Sequence, residues 1–128
     1  MTEVALKKRP KFLHLTEIRL PLPGIVSILH RVSGAGLFLC LPILLYLFSA
    51  SLGSADDFAH YKAVVANPLV KLFLFGLLWA YLHHFCAGIR FLLLDLHVGI
   101  GLAEARKSSY AVLAVSLTLT ALIGVALW

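Results

Sequence analysis

Three long apolar runs, at 32–50, 69–94 and 110–128, restrict this chain more than any other feature. At about 1.5 Å of rise per residue, an α-helix over any one of them nearly matches or exceeds a hydrocarbon core of about 30 Å. Composition argues against a soluble bundle. Hydrophobic residues make up 61% of the chain and charged ones only 13%, too few to cover a buried core of this size. The reading is an all-α integral membrane protein with three transmembrane helices and a short basic N-terminal arm.

Punctuating residues divide the chain. Residues 1–23 form the arm, with Lys7, Lys8, Arg9, Lys11 and Arg19, and end in Pro21-Leu22-Pro23, which interrupts one helix and suits the start of the next. The first transmembrane helix is expected at 24–51, kinked where Pro42 frees the carbonyl of Phe38. Gly53, Asp56, Asp57 and Asn67-Pro68 mark 52–67 as a loop. The second helix is expected at 68–95, a loop carrying Gly99 and Gly101 at 96–108, and the third helix at 109–128, where Tyr110 and Trp128 suit the two aromatic belts.

Every basic residue except Lys62 and Lys71 belongs to the arm, to the 96–108 loop or to the helix ends nearest them. The positive-inside rule therefore puts the N-terminus and 96–108 in the cytoplasm, with 52–67 and the C-terminus in the periplasm of a bacterial inner membrane. The net charge of +5 does not indicate nucleic acid, because the cations sit at the ends of apolar runs and do not alternate with aromatics on a polar surface. Cys40 and Cys86 fall inside apolar segments without metal-ligand spacing and read as small packing residues, with no disulfide implied. Ser49-Ala50-Ser51 follows an apolar stretch as a signal-cleavage site would. The basic region before that stretch is too long for a signal peptide, and cleavage there would discard His30-Arg31.

Ionisable groups in a bilayer need a partner or a purpose. Ser27, His30, Arg31 and Gly34 share one helix face near the cytoplasmic boundary, where hydroxyl and guanidinium donors could meet the polar headgroup of a lipid-soluble ligand. The structural alternative is that Arg31 snorkels to phosphates and Ser27 bonds back to its own helix. A second cluster runs from His83-His84 to Arg90 and Asp95. A histidine about six residues, or roughly 9 Å, below Arg90 lies in the hydrocarbon region, where a haem iron is one partner that facing helices supply. His84 shares a face with Gly88 and Phe91, and Gly88 would let a flat macrocycle approach the backbone. His83 shares another face with Gly76, Ala80 and Ala87, which suits helix packing or a second cofactor face. Spacing does not choose between the two histidines, nor between a haem and an interhelical hydrogen bond.

Arg9-Pro10, the run Ser27-Ile28-Leu29-His30-Arg31-Val32-Ser33-Gly34, and His84 followed by Gly88-Ile89-Arg90 and Asp95 together resemble the cytochrome b subunit of succinate dehydrogenase, respiratory complex II. The likeness covers nearly the whole chain. It departs from the usual pattern at Lys11, Leu94 and His97, and Phe91 stands where several relatives have histidine. The resemblance implies that His84 is an axial ligand of haem b, that Ser27 and Arg31 line a quinone pocket, and that His30 and Arg31 lie near the haem propionates. It implies as partners an iron–sulfur subunit, a flavoprotein subunit and a second three-helix membrane subunit. That second subunit would share the haem, because His14 and His60 lie outside the spans, His30 and His97 near the cytoplasmic edge, and His83 about 100° around the helix from His84.

The expected role is that of a non-flavin membrane subunit of succinate:quinone oxidoreductase in the tricarboxylic acid cycle and respiratory electron transport, with quinone as substrate and no complete active site of its own. The chain has no G-x-G-x-x-G and no cysteine cluster for iron–sulfur. A fumarate reductase anchor running the reaction in reverse and a haem-free membrane scaffold are the alternatives.

Overall fold

The computed structural model describes residues 17–127. The expectations placed on Lys7, Lys8, Arg9-Pro10, Lys11, His14 and Trp128 lie outside the described residues. Four helices follow in chain order: α1 (Leu22–Ser51), α2 (Ala55–Ala66), α3 (Pro68–Asp95) and α4 (Leu102–Leu127). Among them α1, α3 and α4 are long and apolar enough to cross a membrane.

Local chemistry sets each boundary. Pro21 is the extended N-cap of α1 and Pro23 sits in its first turn, where a missing N–H costs nothing, so the helix begins two residues before the expected Gly24. The helix then runs unbroken through Pro42 to Ser51. The 52–67 segment, expected as a loop, contains α2. Its Gly53 and acidic residues suggested a turn, but Ser54 and Asp57 form a capping box: the Asp57 N–H donates to Ser54 Oγ at 3.2 Å and the Ser54 N–H donates to Asp57 Oδ2 at 2.9 Å. Asn67-Pro68 ends α2 and starts α3. The residue before a proline is held extended (φ −63°, ψ 128°), and the Asn67 side chain accepts the Leu69 N–H at 2.9 Å.

At the far end of α3, the Val98 N–H reaches the Leu93 carbonyl and the His97 N–H that of Leu94, both at 2.9 Å, with His97 left-handed at φ 62°. This is a Schellman cap. After Gly101, α4 starts at Leu102 rather than near 109, because Leu-Ala-Glu-Ala-Arg-Lys is made of strong helix formers although it is too charged to lie in lipid.

The three long helices pack antiparallel in sequence, with α3 touching all the others. Their contact layer is thin. Val26, Ala87 and Val112 form its buried apolar centre, with Cys86, Phe91 and Leu113 against it. Both cysteines are free thiols. On α4 the buried stripe is Ser109, Val112, Ser116, Thr120 and Gly124. The hydroxyls of Ser109, Ser116 and Thr120 donate to carbonyls of their own helix, so small residues bring the backbones close without stranding a polar group. Gly124 leaves room for the Phe75 ring against the α4 backbone. Large apolar side chains such as Phe38, Leu39 and Val125 face outward, as expected where lipid or other apolar surface replaces water.

Candidate functional site

The antiparallel arrangement gathers the start of α1, the end of α3 and the start of α4 at one end of the bundle. His30 on α1 and His84 on α3 meet there, their rings stacked 4.1 Å apart and 6° from parallel. His84 Nδ1 lies 2.9 Å from the His30 carbonyl oxygen and 3.3 Å from Ser33 Oγ. A carbonyl only accepts, so Nδ1 carries the proton, and Nε2 is left with a free lone pair. Ser33 is buried and its hydroxyl also donates to the His30 carbonyl at 3.0 Å, so one backbone oxygen and one hydroxyl orient the imidazole.

Gly34 makes that approach feasible. A Cβ at this position would stand 2.6 Å from His84 Cε1, closer than real Cβ contacts, and a tight 3.1 Å from Nδ1. Gly88, expected to admit a macrocycle, faces His30 instead: its absent Cβ would be 3.7 Å from His30 Nε2. The Phe91 ring also lies near His30, tilted by 55° at 5.1 Å between ring centroids.

His83 takes a different course. It is fully buried between helices, 5.5 Å from the Trp79 ring, and its ring faces the Val26 backbone without closing a well-aligned hydrogen bond. Both its nitrogens are enclosed, so of the two alternatives that spacing left open it takes helix packing. Of these two neighbours, His84 is the one whose ring is oriented by hydrogen bonds.

Immediately after His30, Arg31 Nη2 donates to Ser27 Oγ, one turn back along α1, at 3.1 Å. Arg31 is exposed and Ser27 half-buried, so the pair forms an outward-facing donor group beside the His30–His84 stack. His60 lies on α2 at the opposite end, and His97 sits in the α3 cap. Ser33 is the site residue that sequence reasoning left without a role. Its position three residues after His30 was the available signal, since a hydroxyl there can reach the same carbonyl.

These residues fit a haem better than a bare ion. No group of three His, Cys, Asp or Glu side chains converges among the described residues. A macrocycle brings its own four nitrogens and needs from this chain one imidazole with a fixed tautomer, and the His30 carbonyl and Ser33 fix it. His30 cannot be the second axial ligand in this arrangement, because a ring stacked on His84 leaves no space for a porphyrin between them.

Residues 5–123 match the model of the succinate dehydrogenase/fumarate reductase transmembrane subunit family. The chain belongs to that family. Its three long apolar helices are accordingly its membrane spans. Within this family it is similar to the succinate dehydrogenase cytochrome b556 subunit of Coxiella burnetii, 41% identical over 94% of this chain and 98% of the relative. It is also similar to the protein of that name from Paracoccus denitrificans, 35% identical over 95% and 94%. Against the mitochondrial cytochrome b560 subunit of Dictyostelium discoideum the identity is 30% over 84% and 56%. These relatives are all named for succinate dehydrogenase, which favours that branch of the family over a fumarate reductase.

Proposed function

We propose that this chain is the cytochrome b membrane anchor of a succinate:quinone oxidoreductase, giving one axial ligand to haem b and one wall to the quinone-reduction site. The observation that carries the proposal is the fixed His84 imidazole: Nδ1 on the carbonyl of His30, Nε2 free, with the Ser27–Arg31 pair flanking His30 on α1. The haem, when bound, supplies a one-electron store within the membrane.

Ser27 and Arg31 act on the substrate. The Ser27 hydroxyl donates to a quinone carbonyl oxygen, and the Arg31 guanidinium offsets the negative charge that grows there as the quinone takes up two electrons and two protons. Positive charge already aimed at that oxygen lowers the barrier because it needs no reorganisation at the moment of transfer. Because Arg31 is exposed on this chain, the pocket needs further walls, from the iron–sulfur subunit that delivers electrons and from a second membrane subunit. That second subunit would also hold the haem from its far side, since on this chain His83 is enclosed and His30 is stacked on His84. The flavoprotein subunit carries out succinate oxidation.

Arg31 and His30 also suit the propionate end of the haem, where charge-assisted hydrogen bonds hold carboxylates. The basic end of the bundle, with Arg19, Arg31, Arg90, Arg106 and Lys107, faces the cytoplasm of a bacterial inner membrane and the C-terminus faces the periplasm. A reduced-minus-oxidised optical spectrum of the purified complex tests the reading. A b-type band that disappears in His84→Leu supports it, whereas a complex without such a band would make the chain a haem-free scaffold.

A further inference from the structure

The motif that supplies His84 also contains Arg90, which has no part in the site above. Arg90 is 6% exposed. Its Nε donates to Ser108 Oγ at 2.9 Å and its Nη2 to the Ala105 carbonyl at 3.4 Å, which fixes the guanidinium against α4. Among the described residues no carboxylate pairs with it. A cation held rigid in or near lipid without a counter-charge calls for an anion from elsewhere.

Arg90 lines a cleft of about 330 Å³ together with Lys107, Ser108, Glu104 and Val98. Glu104 carries the only carboxylate there, and it lies against Gly101 rather than on Arg90. From this mouth an apolar groove of about 270 Å³ continues between α3 and α4, past Cys86, Ile89, Leu93, Ala111 and Val115. Arg90, Leu93 and Ser108 line both spaces, so cleft and groove are continuous. From Ser108 to Val115 the groove runs about 10 Å along the helix axis. On α3 its residues lie about 120° or more around the helix from His84, so an occupant does not compete with the haem face.

We propose that cleft and groove together bind an anionic phospholipid, with its phosphate on Arg90 and Lys107 and one acyl chain along the α3–α4 groove. Two features select a lipid over a neighbouring helix. The charged mouth and the apolar track have the polarity of an amphiphile end to end. The mouth also sits at the basic end of the bundle, level with headgroups, while the track descends into the hydrocarbon. The planar fork of Arg90, held by Ser108 and Ala105, receives two phosphate oxygens, and Lys107 adds a point charge.

The test uses the intact membrane complex, delipidated in neutral detergent and titrated with phosphatidylglycerol, phosphatidylcholine or inorganic phosphate under native mass spectrometry. Phosphatidylglycerol is expected to bind more tightly than phosphatidylcholine, with inorganic phosphate failing to displace it. Lys107→Gln, an exposed change that leaves the Arg90 clamp intact, is expected to weaken phosphatidylglycerol about five-fold without altering phosphatidylcholine. Val115→Trp, which fills the track, is expected to weaken both lipids. Equal affinity for the two lipids, or an unaltered phosphatidylglycerol affinity in both variants, would overturn the proposal. Competition by inorganic phosphate would reduce the site to a simple anion pocket. Efficient crosslinking of an Ala111→Cys variant to another subunit would put protein in the groove and equally refute it.

Discussion

His84 Nδ1 stands 2.9 Å from the carbonyl oxygen of His30, and the two imidazoles stack 4.1 Å apart. The neighbouring His83, fully buried with neither nitrogen bonded, has no such arrangement. Separate leucine substitutions should therefore behave in opposite ways. His84→Leu is expected to abolish the b-type spectrum. His83→Leu should keep it and hold or raise stability by about 1 kcal/mol, because an apolar side chain replaces buried unpaired polar atoms. A spectrum that survives His84→Leu but vanishes in His83→Leu would reverse the assignment.

Gly34 makes a subtler prediction about the same imidazole. A methyl group at this position meets His84 Cε1 and Nδ1, so the hydrogen-bonded ring must shift to admit it. Gly34→Ala is expected to cost about 1–3 kcal/mol through overpacking and to turn the ring off its carbonyl. The haem-to-protein ratio should fall and the low-spin electron paramagnetic resonance signal should shift. Unchanged haem content with an unshifted signal would mean that the ring is not held in this position.

Much of this was legible from the sequence because lipid leaves few choices. Three long apolar runs had to be helices, since a membrane offers no water to unpaired backbone groups. The polar residues inside those runs could be picked out for the same reason. What escaped notice lay in the polar segments, where one residue type serves two ends. Ser54 and Asp57 mark a turn and a helix cap alike, and the cap prevailed in α2. The first turns of α4 are charged, so hydropathy started that helix several residues late. Between His83 and His84 spacing does not choose, because what distinguishes their surroundings lies on α1: the His30 carbonyl, Ser33 and the gap at Gly34 all meet His84.

Arg31 and Ser27 are bonded to each other at 3.1 Å and exposed enough to serve a shared headgroup. Arg31→Ala is expected to lower quinone reduction by about two orders of magnitude, the cost of removing one donor from a developing oxyanion. Electron transfer from succinate to a soluble artificial acceptor should be nearly unaffected. Ser27→Ala should raise the quinone KM or lower turnover with haem content unchanged. Parallel loss of both activities in Arg31→Ala would point to assembly rather than quinone chemistry.

At the other end of the bundle, the capping box of α2 titrates. The Ser54 hydroxyl and N–H donate to the Asp57 carboxylate at 2.7 and 2.9 Å, and these bonds hold its carboxyl below the ordinary aspartate value. A lowered folded-state pKa contributes stability that is present above the unfolded value and is lost as pH falls through the folded one. Protection of the α2 amides, corrected for intrinsic exchange, should thus drop between neutral pH and about pH 3. Asp57→Asn should show low protection with no such pH step. Equal protection at both pH values in the unsubstituted protein would exclude the box as a cap in solution.

His97 offers a stabilising change. It occupies the left-handed position of the α3 cap at φ 62°, where a Cβ crowds the following carbonyl and glycine does not. Its ring is exposed, so the strain lies in the backbone rather than in a side-chain contact. His97→Gly is expected to stabilise the protein by about 1 kcal/mol or somewhat less, since glycine gives back part of the gain as unfolded-state entropy. His97→Ala separates the causes, because it removes the imidazole and keeps the Cβ. A gain in thermal or detergent-induced unfolding for glycine but not alanine marks backbone strain. Equal gains for both would trace the effect to the imidazole itself, and no gain from glycine would mean the cap relaxes its φ without cost.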